Sequence, residues 1–147
     1  MLIEQIVYTS DAAAAWHADE LLGLLMQSSA ANENQNITGL LLFEHGLFAQ
    51  CIEGPQRAIE PLWHKIQKDQ RHKSVVLLRR QTAALRWFPD WRMGLASDVA
   101  QALQIDGWCP PVKGQLLEAR SSSAVINLFE KLGQQYAKAR SFSHLSH

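Results

Sequence analysis

No apolar stretch in the 147 residues approaches the roughly 18–20 that a membrane-spanning helix needs. The opening MLIEQIVYTS has no basic stretch followed by an apolar core, so it does not read as a leader. Charge of one sign is missing too, because 14 basic and 14 acidic residues cancel. Nothing therefore advertises a nucleic-acid backbone or an anionic membrane as a partner. Cysteine is scarce: Cys51 and Cys109 are too few for a disulfide framework and lack metal-ligand spacing, which points to a reducing compartment. Cys51 reads as a small core residue. These absences give the expectation of a soluble, cytoplasmic protein of one domain, long enough to bury roughly 68–70% of its unfolded surface.

Hydrolytic, metal and phosphate chemistry are poorly furnished. Among the six histidines, His17, His45, His64, His72, His144 and His147, no two read as a pair on one helix face accompanied by a carboxylate, the pattern of a metal site. Gly39, Gly46 and Gly54 are isolated in separate turns, so no glycine-rich phosphate loop is present. Chain order alone proposes no Cys/His or Ser/His/Asp arrangement.

What the sequence does hold is organised around residues 36–54, NITGLLLFEHGLFAQCIEG, two apolar runs flanking a polar turn at Glu44, His45 and Gly46. The spacing predicts a β-hairpin. Alternation in the second run puts Phe48, Gln50 and Ile52 on one face and Leu47, Ala49 and Cys51 on the other. Gln50 thus points with large apolar groups, where an unpaired amide costs about 1–3 kcal/mol. It is either a structural glutamine bonded to a neighbouring main chain or a group facing a buried polar ligand.

Before the hairpin, residues 2–9 read as a central strand with Leu2, Glu4, Ile6 and Tyr8 on one face. Ser10 and Asp11 offer caps, and residues 12–29 read as a helix whose buried stripe is Leu21, Leu22, Leu24 and Leu25. After it, Ile59, Leu62, Trp63 and Ile66 form a second apolar helix face, with Pro61 predicting a regular start near Ala58. Residues 75–78 read as a short buried strand. A further strand follows Pro89, with Trp91, Met93 and Leu95 sharing a face. The order β-α-β-β-α-β-β is α+β and ferredoxin-like with one extra strand, and it places two helices on one face of the sheet. Its first and third strands are then central neighbours, so Tyr8 and Gln50 can face each other beneath the helices.

The remainder reads as a separate helical extension. Asp98 and Gln101 resemble a capping pair for a short helix closed by Gly107 and blocked by Pro110 and Pro111. From residue 123 to about 140 a longer helix shows Val125, Leu128, Phe129, Leu132 and Tyr136 on one face, with Lys138 and Arg140 at its negative end. Residues 141–147 read as a frayed tail. The uncharged polar set Tyr8, Asn32 and Gln50, near apolar Leu24 and Ile66, suits a flat heteroaromatic ligand with a polar edge. The alternative is that Leu24 and Ile66 pack on each other as ordinary core.

With Tyr8, Asn32, ITG at 37–39, FAQCIEG at 48–54, KIQKDQRH at 65–72 and FPDWRM at 88–93 assembled, the chain resembles the BLUF family of flavin-binding blue-light sensors. The resemblance runs from about Leu2 to Leu95, and beyond Ala96 the chain is similar to short members with a brief helical extension and no fused enzyme. It implies a flavin domain at residues 1–96 and an output or oligomerisation extension at 97–147. It further implies FAD, or FMN, as cofactor, with the ring between the helices and Leu24 and Ile66 on its faces. Tyr8 matches the tyrosine that gives an electron and proton, and Gln50 the glutamine whose hydrogen bonds rearrange. Asn32 matches a contact to the ring's polar edge, and Ser28, Lys65, Asp69 and Arg71 further cofactor contacts. Trp91 and Met93 match the fifth-strand pair that carries the signal towards a downstream signalling protein, with self-association expected and no nucleic acid, membrane or catalysis. Ala31 departs from the pattern, standing where many members have a second asparagine. A small flavin-dependent reductase and a flavin-free interaction module are the alternatives from other classes.

Overall fold

Strand formation starts from β-branched and aromatic residues with buried neighbours on both sides. The computed structural model describes residues 2–97, 108–109 and 113–145. Its elements are β1 (Ile3–Ala12), α1 (Ala18–Glu33), β2 (Thr38–Glu44), β3 (Leu47–Gly54), α2 (Gln56–Lys68), β4 (His72–Ala83), β5 (Gly94–Ser97), β6 (Trp108–Cys109), α3 (Gln115–Glu118) and α4 (Ser122–Leu145). The described strands form one sheet in the order β4-β1-β3-β2-β5-β6. Pairs among β1 to β4 are antiparallel, whereas β5 runs parallel to β2 and β6 parallel to β5. The ferredoxin-like expectation therefore holds, with β5 as the extra strand.

The β2–β3 hairpin turns at His45 and Gly46, both at positive φ (52° and 79°), the two-residue geometry that matches strand twist. Alternation then divides the side chains into two cores. Ile6, Tyr8, Leu41, Phe43, Phe48 and Ile52 meet Leu21 and Leu25 of α1 and Ala58, Ile59 and Trp63 of α2. On the reverse face, Val7, Leu40, Leu42, Ala49 and Cys51 meet Phe88, Leu116 of α3 and Val125, Leu128, Phe129 and Leu132 of α4. Burying each large side chain contributes about 1.5–3 kcal/mol, so both layers are held to the sheet.

Several boundaries differ from the sequence reading. β1 continues through Ser10 and Asp11, which pair with Phe48 and Leu47 of β3 instead of capping a helix. Helix α1 starts at Ala18, where the Glu20 carboxylate reaches back to the His17 N–H (3.3 Å). Of the expected stripe, Leu21 and Leu25 are buried while Leu22 and Leu24 are half-buried. Helix α2 begins at Gln56 and carries the exposed Pro61 inside it. Burial of Ala58, Ile59 and Trp63 from the first turn outweighs the roughly 3 kcal/mol that an interior proline costs. β4 is 12 residues long instead of four because, as a mixed polar and apolar edge strand, it pairs along the whole of β1. The C-terminal helix runs to Leu145, into the stretch expected to be a frayed tail. The expected helix closed by Gly107, with Pro110 and Pro111, lies outside the described residues, as do the side chains of Lys138 and Arg140.

Candidate functional site

Because β1 and β3 are neighbours and Tyr8 pairs directly with Gln50, the ladder fixes a phenol beside an amide. The Tyr8 hydroxyl donates to Gln50 Oε1 at 2.5 Å, and Gln50 Nε2 donates to Met93 Sδ at 3.2 Å. Tyr8 is 4% and Gln50 7% exposed, so this chain of contacts is shielded from bulk water. Burial pushes the Tyr8 phenol well above its ordinary pKa, and the Asp69 carboxylate adds to the rise. The phenol is accordingly a fully protonated donor at neutral pH.

These groups form the floor of a cleft of about 850 Å³, counting its open mouth, between α1 and α2. Leu24, Ser28 and Asn32 line it from α1, and Lys65 and Ile66 from α2. Asp69, Arg71 and Met93 complete the expected set, so of the sequence-predicted residues only Trp91 is absent from the lining. Trp91 does not share a face with Met93 and Leu95: it packs in the reverse-face core, stacked on Phe88 and 4.8 Å from the Tyr136 ring. Strand pairing begins only at Gly94, so period-two counting does not extend back through residues 91–93.

Asn32, 3% exposed, donates from Nδ2 to the Arg92 carbonyl (2.8 Å), which ties α1 to the segment leading into β5. At the mouth, the Asp69 carboxylate accepts from Arg71 Nη2 (2.6 Å), Nε and the Arg71 main chain, holding Asp69 below its ordinary pKa. Arg71 also lies 5.9 Å over the Trp16 ring.

Trp16, Gln27, Leu41, Leu62 and His72 line the cleft as well and were not named as site residues by sequence. His72 Nε2 bonds the Ile66 carbonyl (2.7 Å), which only accepts, so Nε2 carries the proton and Nδ1 takes the Ser10 hydroxyl (2.7 Å). That pair ties the last turn of α2 to β1. The KIQKDQRH run contained the signal; only the fold gives the histidine its partners.

Two buried carboxylates on the reverse face were also missed. Glu53, 0% exposed, accepts from Gln5 Nε2 and from the Trp87 and Phe88 main chain, all at 2.8–2.9 Å. Glu44, 1% exposed, accepts from the main-chain N–H groups of Gly114 (2.8 Å), Leu116 (3.1 Å) and Leu117 (3.3 Å). Among the described residues no cluster of three or more His, Cys, Asp or Glu is placed to hold a metal, and no helix is long and apolar enough to cross a membrane.

A ferredoxin-like sheet with an apolar-walled cleft under two helices, floored by a phenol–amide pair, defines a ligand-binding sensor module. The chain belongs to the BLUF family, described as sensors of blue-light using FAD, whose profile residues 3–94 match. It is similar to photoactivated adenylate cyclase subunit alpha of Euglena gracilis, at 44% identity over 71 residues, which are 48% of this chain. The chain spans only 7% of that relative's length. Among solved structures, BlrB, a BLUF protein in its dark state, aligns at TM-score 0.74 and 25% identity, over 90% of this chain and 96% of that one. Klebsiella pneumoniae BlrP1 with FMN and cyclic diGMP aligns at TM-score 0.61 and 34% identity, over 65% of this chain and 26% of that one. Residues 3–94 are accordingly a flavin-binding blue-light sensor module.

Proposed function

We propose that Tyr8, Gln50 and Met93 are the photoactive switch of this receptor, and that Leu24, Ser28, Asn32, Lys65, Ile66, Asp69 and Arg71 hold the flavin. The observation that carries this reading is the continuous contact Tyr8–Gln50–Met93 on the floor of the cleft. Leu24 and Ile66 supply apolar walls for the ring faces. Asn32, its Nδ2 committed to Arg92, presents its other amide atom, Oδ1, as an acceptor for a ring N–H. We take the cofactor as FAD, the form that the family's description names. When bound, it supplies the blue-light absorption and the oxidising power of the excited state.

Tyr8 is the oxidisable group on the floor, and its proton already rests against Gln50 Oε1. Loss of an electron from the phenol is thereby coupled to passage of that proton to Gln50. Its return leaves Gln50 free to rotate or change tautomer, which alters its contact with Met93. No net chemistry results. The bonds involved are neutral and worth about 0.5–1.5 kcal/mol each, whereas driving a two-state element from 1:99 to 99:1 takes about 5.5 kcal/mol. The output is consequently a graded shift at β5 and the C-terminal helices. Residues 1–96 act as the sensor and 97–147 as the extension read by a partner protein or a second copy in the cytoplasm.

Tyr8→Phe tests the assignment. The variant is expected to bind flavin with an unchanged dark spectrum and to give no light-induced shift. A normal photocycle in that variant removes Tyr8 from its role.

A further inference from the structure

Val125, Leu128, Phe129 and Leu132 pack α4 on the reverse face of the sheet, and the two ends of this α3–α4 layer are attached by contacts that differ in kind. Towards its start, α4 follows α3, whose first turn is fastened to the end of β2 by the Glu44 carboxylate. Both oxygens are used: Oε2 takes the Gly114 N–H and Oε1 those of Leu116 and Leu117. A buried carboxylate meeting three main-chain donors is a charge-assisted contact, about twice as strong as a neutral one. Leu116 beside it is 3% exposed and packs in the same core as Val125, Leu128 and Phe129.

Three turns further on, the attachment is aromatic and apolar. Tyr136 lies 4.8 Å from Trp91 and 6.5 Å from Phe88. Gly133 lies against Trp87, so close that a Cβ there would sit 3.2 Å from the Trp87 carbonyl oxygen. Of these contacts, Tyr136 on Trp91 belongs to the segment that the switch touches: Asn32 holds the Arg92 carbonyl and Gln50 contacts Met93, while Trp91 projects to the other side. The residues before it are pinned, since Glu53 fixes the Trp87 and Phe88 main chain. Those after it are pinned by the ladder from Gly94 onwards. Between these anchors residues 89–93 carry no strand ladder; the Gly39 N–H donates to the Trp91 carbonyl (3.2 Å) and Asn32 to the Arg92 carbonyl, and the Trp91 ring is the span's contact with α4.

We propose that Glu44 is a positioning residue that fixes the N-terminal end of the output layer, so that a shift of Trp91 turns α4 about that end. The light-driven part of this rests on the switch assigned above; the clamp itself does not. Glu44 is then a fulcrum: without it, force from Trp91 at Tyr136 displaces α3 and α4 together instead of swinging the far end of α4.

Amide hydrogen exchange on the full flavin-loaded chain, in the dark and under blue light, tests this in the wild type and in Glu44→Gln. The glutamine keeps the shape but turns a donor towards main-chain N–H groups. In the dark, the amides of Gly114, Leu116 and Leu117 are expected to exchange about tenfold faster or more in the variant. The flavin spectrum and its light-induced shift should stay as in the wild type, because Glu44 does not line the cleft. Under light, the wild-type change should concentrate from Gly133 onwards and, in the variant, spread into residues 115–128. Unchanged dark exchange at those three amides overturns the clamp. A wild-type light response largest at residues 115–125 overturns the fulcrum. A wild type with no light-induced spectral shift defeats the switch assignment instead, and the dark comparison still decides the clamp. Should Glu44→Gln not fold, Glu44→Asp keeps the charge but withdraws it by one methylene, and the same dark amides are expected to accelerate to a smaller degree.

Discussion

The two faces of the sheet solve opposite problems with the same strands. On the helix side, Tyr8, Gln50 and Asn32 are uncharged, and their contacts are single bonds around an open cleft. On the reverse side, Glu44 and Glu53 each take three donors, and the rings of Phe88, Phe129, Trp91 and Tyr136 pack on one another. Neutral hydrogen bonds contribute about 0.5–1.5 kcal/mol and those to charged groups about 1.5–3 kcal/mol. On the switch proposed above, the difference is a division of labour: the groups assigned to exchange partners are weakly bonded, and the groups that hold a layer in place are strongly bonded. Trp91 packs on the reverse side and Met93 on the cleft side, which is why this crossing segment is the route proposed above from one face to the other.

The largest expected effect is on the weak face. Gln50→Leu should retain flavin, since the walls and polar edge are intact, and should lose the light-induced spectral shift completely; a preserved shift would sink the switch. On the strong face, Glu53→Ala leaves Gln5 Nε2 and the Trp87 and Phe88 N–H groups without their acceptor. A loss of about 3 kcal/mol or more in urea-denaturation stability is expected. A loss under about 1 kcal/mol would mean that the reverse layer does not depend on that carboxylate.

Smaller still is the ion pair at the mouth of the cleft. Asp69 has a lowered folded pKa, caused first by its hydrogen bond from the Arg71 side chain. Its contribution is therefore present above the unfolded value near 3.8 and is lost as pH falls through the lower folded one. Both side chains are part-exposed, so the pair contributes at most about 1 kcal/mol. Comparing urea midpoints of the wild type and Asp69→Asn at neutral pH and in acid measures it. A gap that narrows in acid supports the pair, and one that widens contradicts it.

Much of the weak face was legible in the sequence. Alternation alone placed Gln50 with Phe48 and Ile52, and strand order brought Tyr8 beside it. The strong face was not. Glu53 falls on the same side as Cys51 and Ala49, a carboxylate among buried apolar positions, and that mismatch was the available signal; its partners come from β1 and from a loop more than 30 residues away. Trp91 was misplaced because the alternation of β5 was extended into a segment with no ladder. Ser10 and Asp11 have the chemistry of helix caps, yet pairing with β3 and β4 satisfies more of their backbone than a cap would, so tertiary contacts overrode local preference. Similarly, the polar edge strand β4 gave a weak pattern because only one of its sides is paired.

The measurement that bears most directly on the contrast between the faces is the absorption spectrum of the purified protein in the dark, immediately after blue light, and after dark recovery. A rearrangement confined to neutral hydrogen bonds around Gln50 predicts flavin bands that move slightly to the red without bleaching and return in full. A spectrum that bleaches, or one that light leaves unchanged, would contradict it.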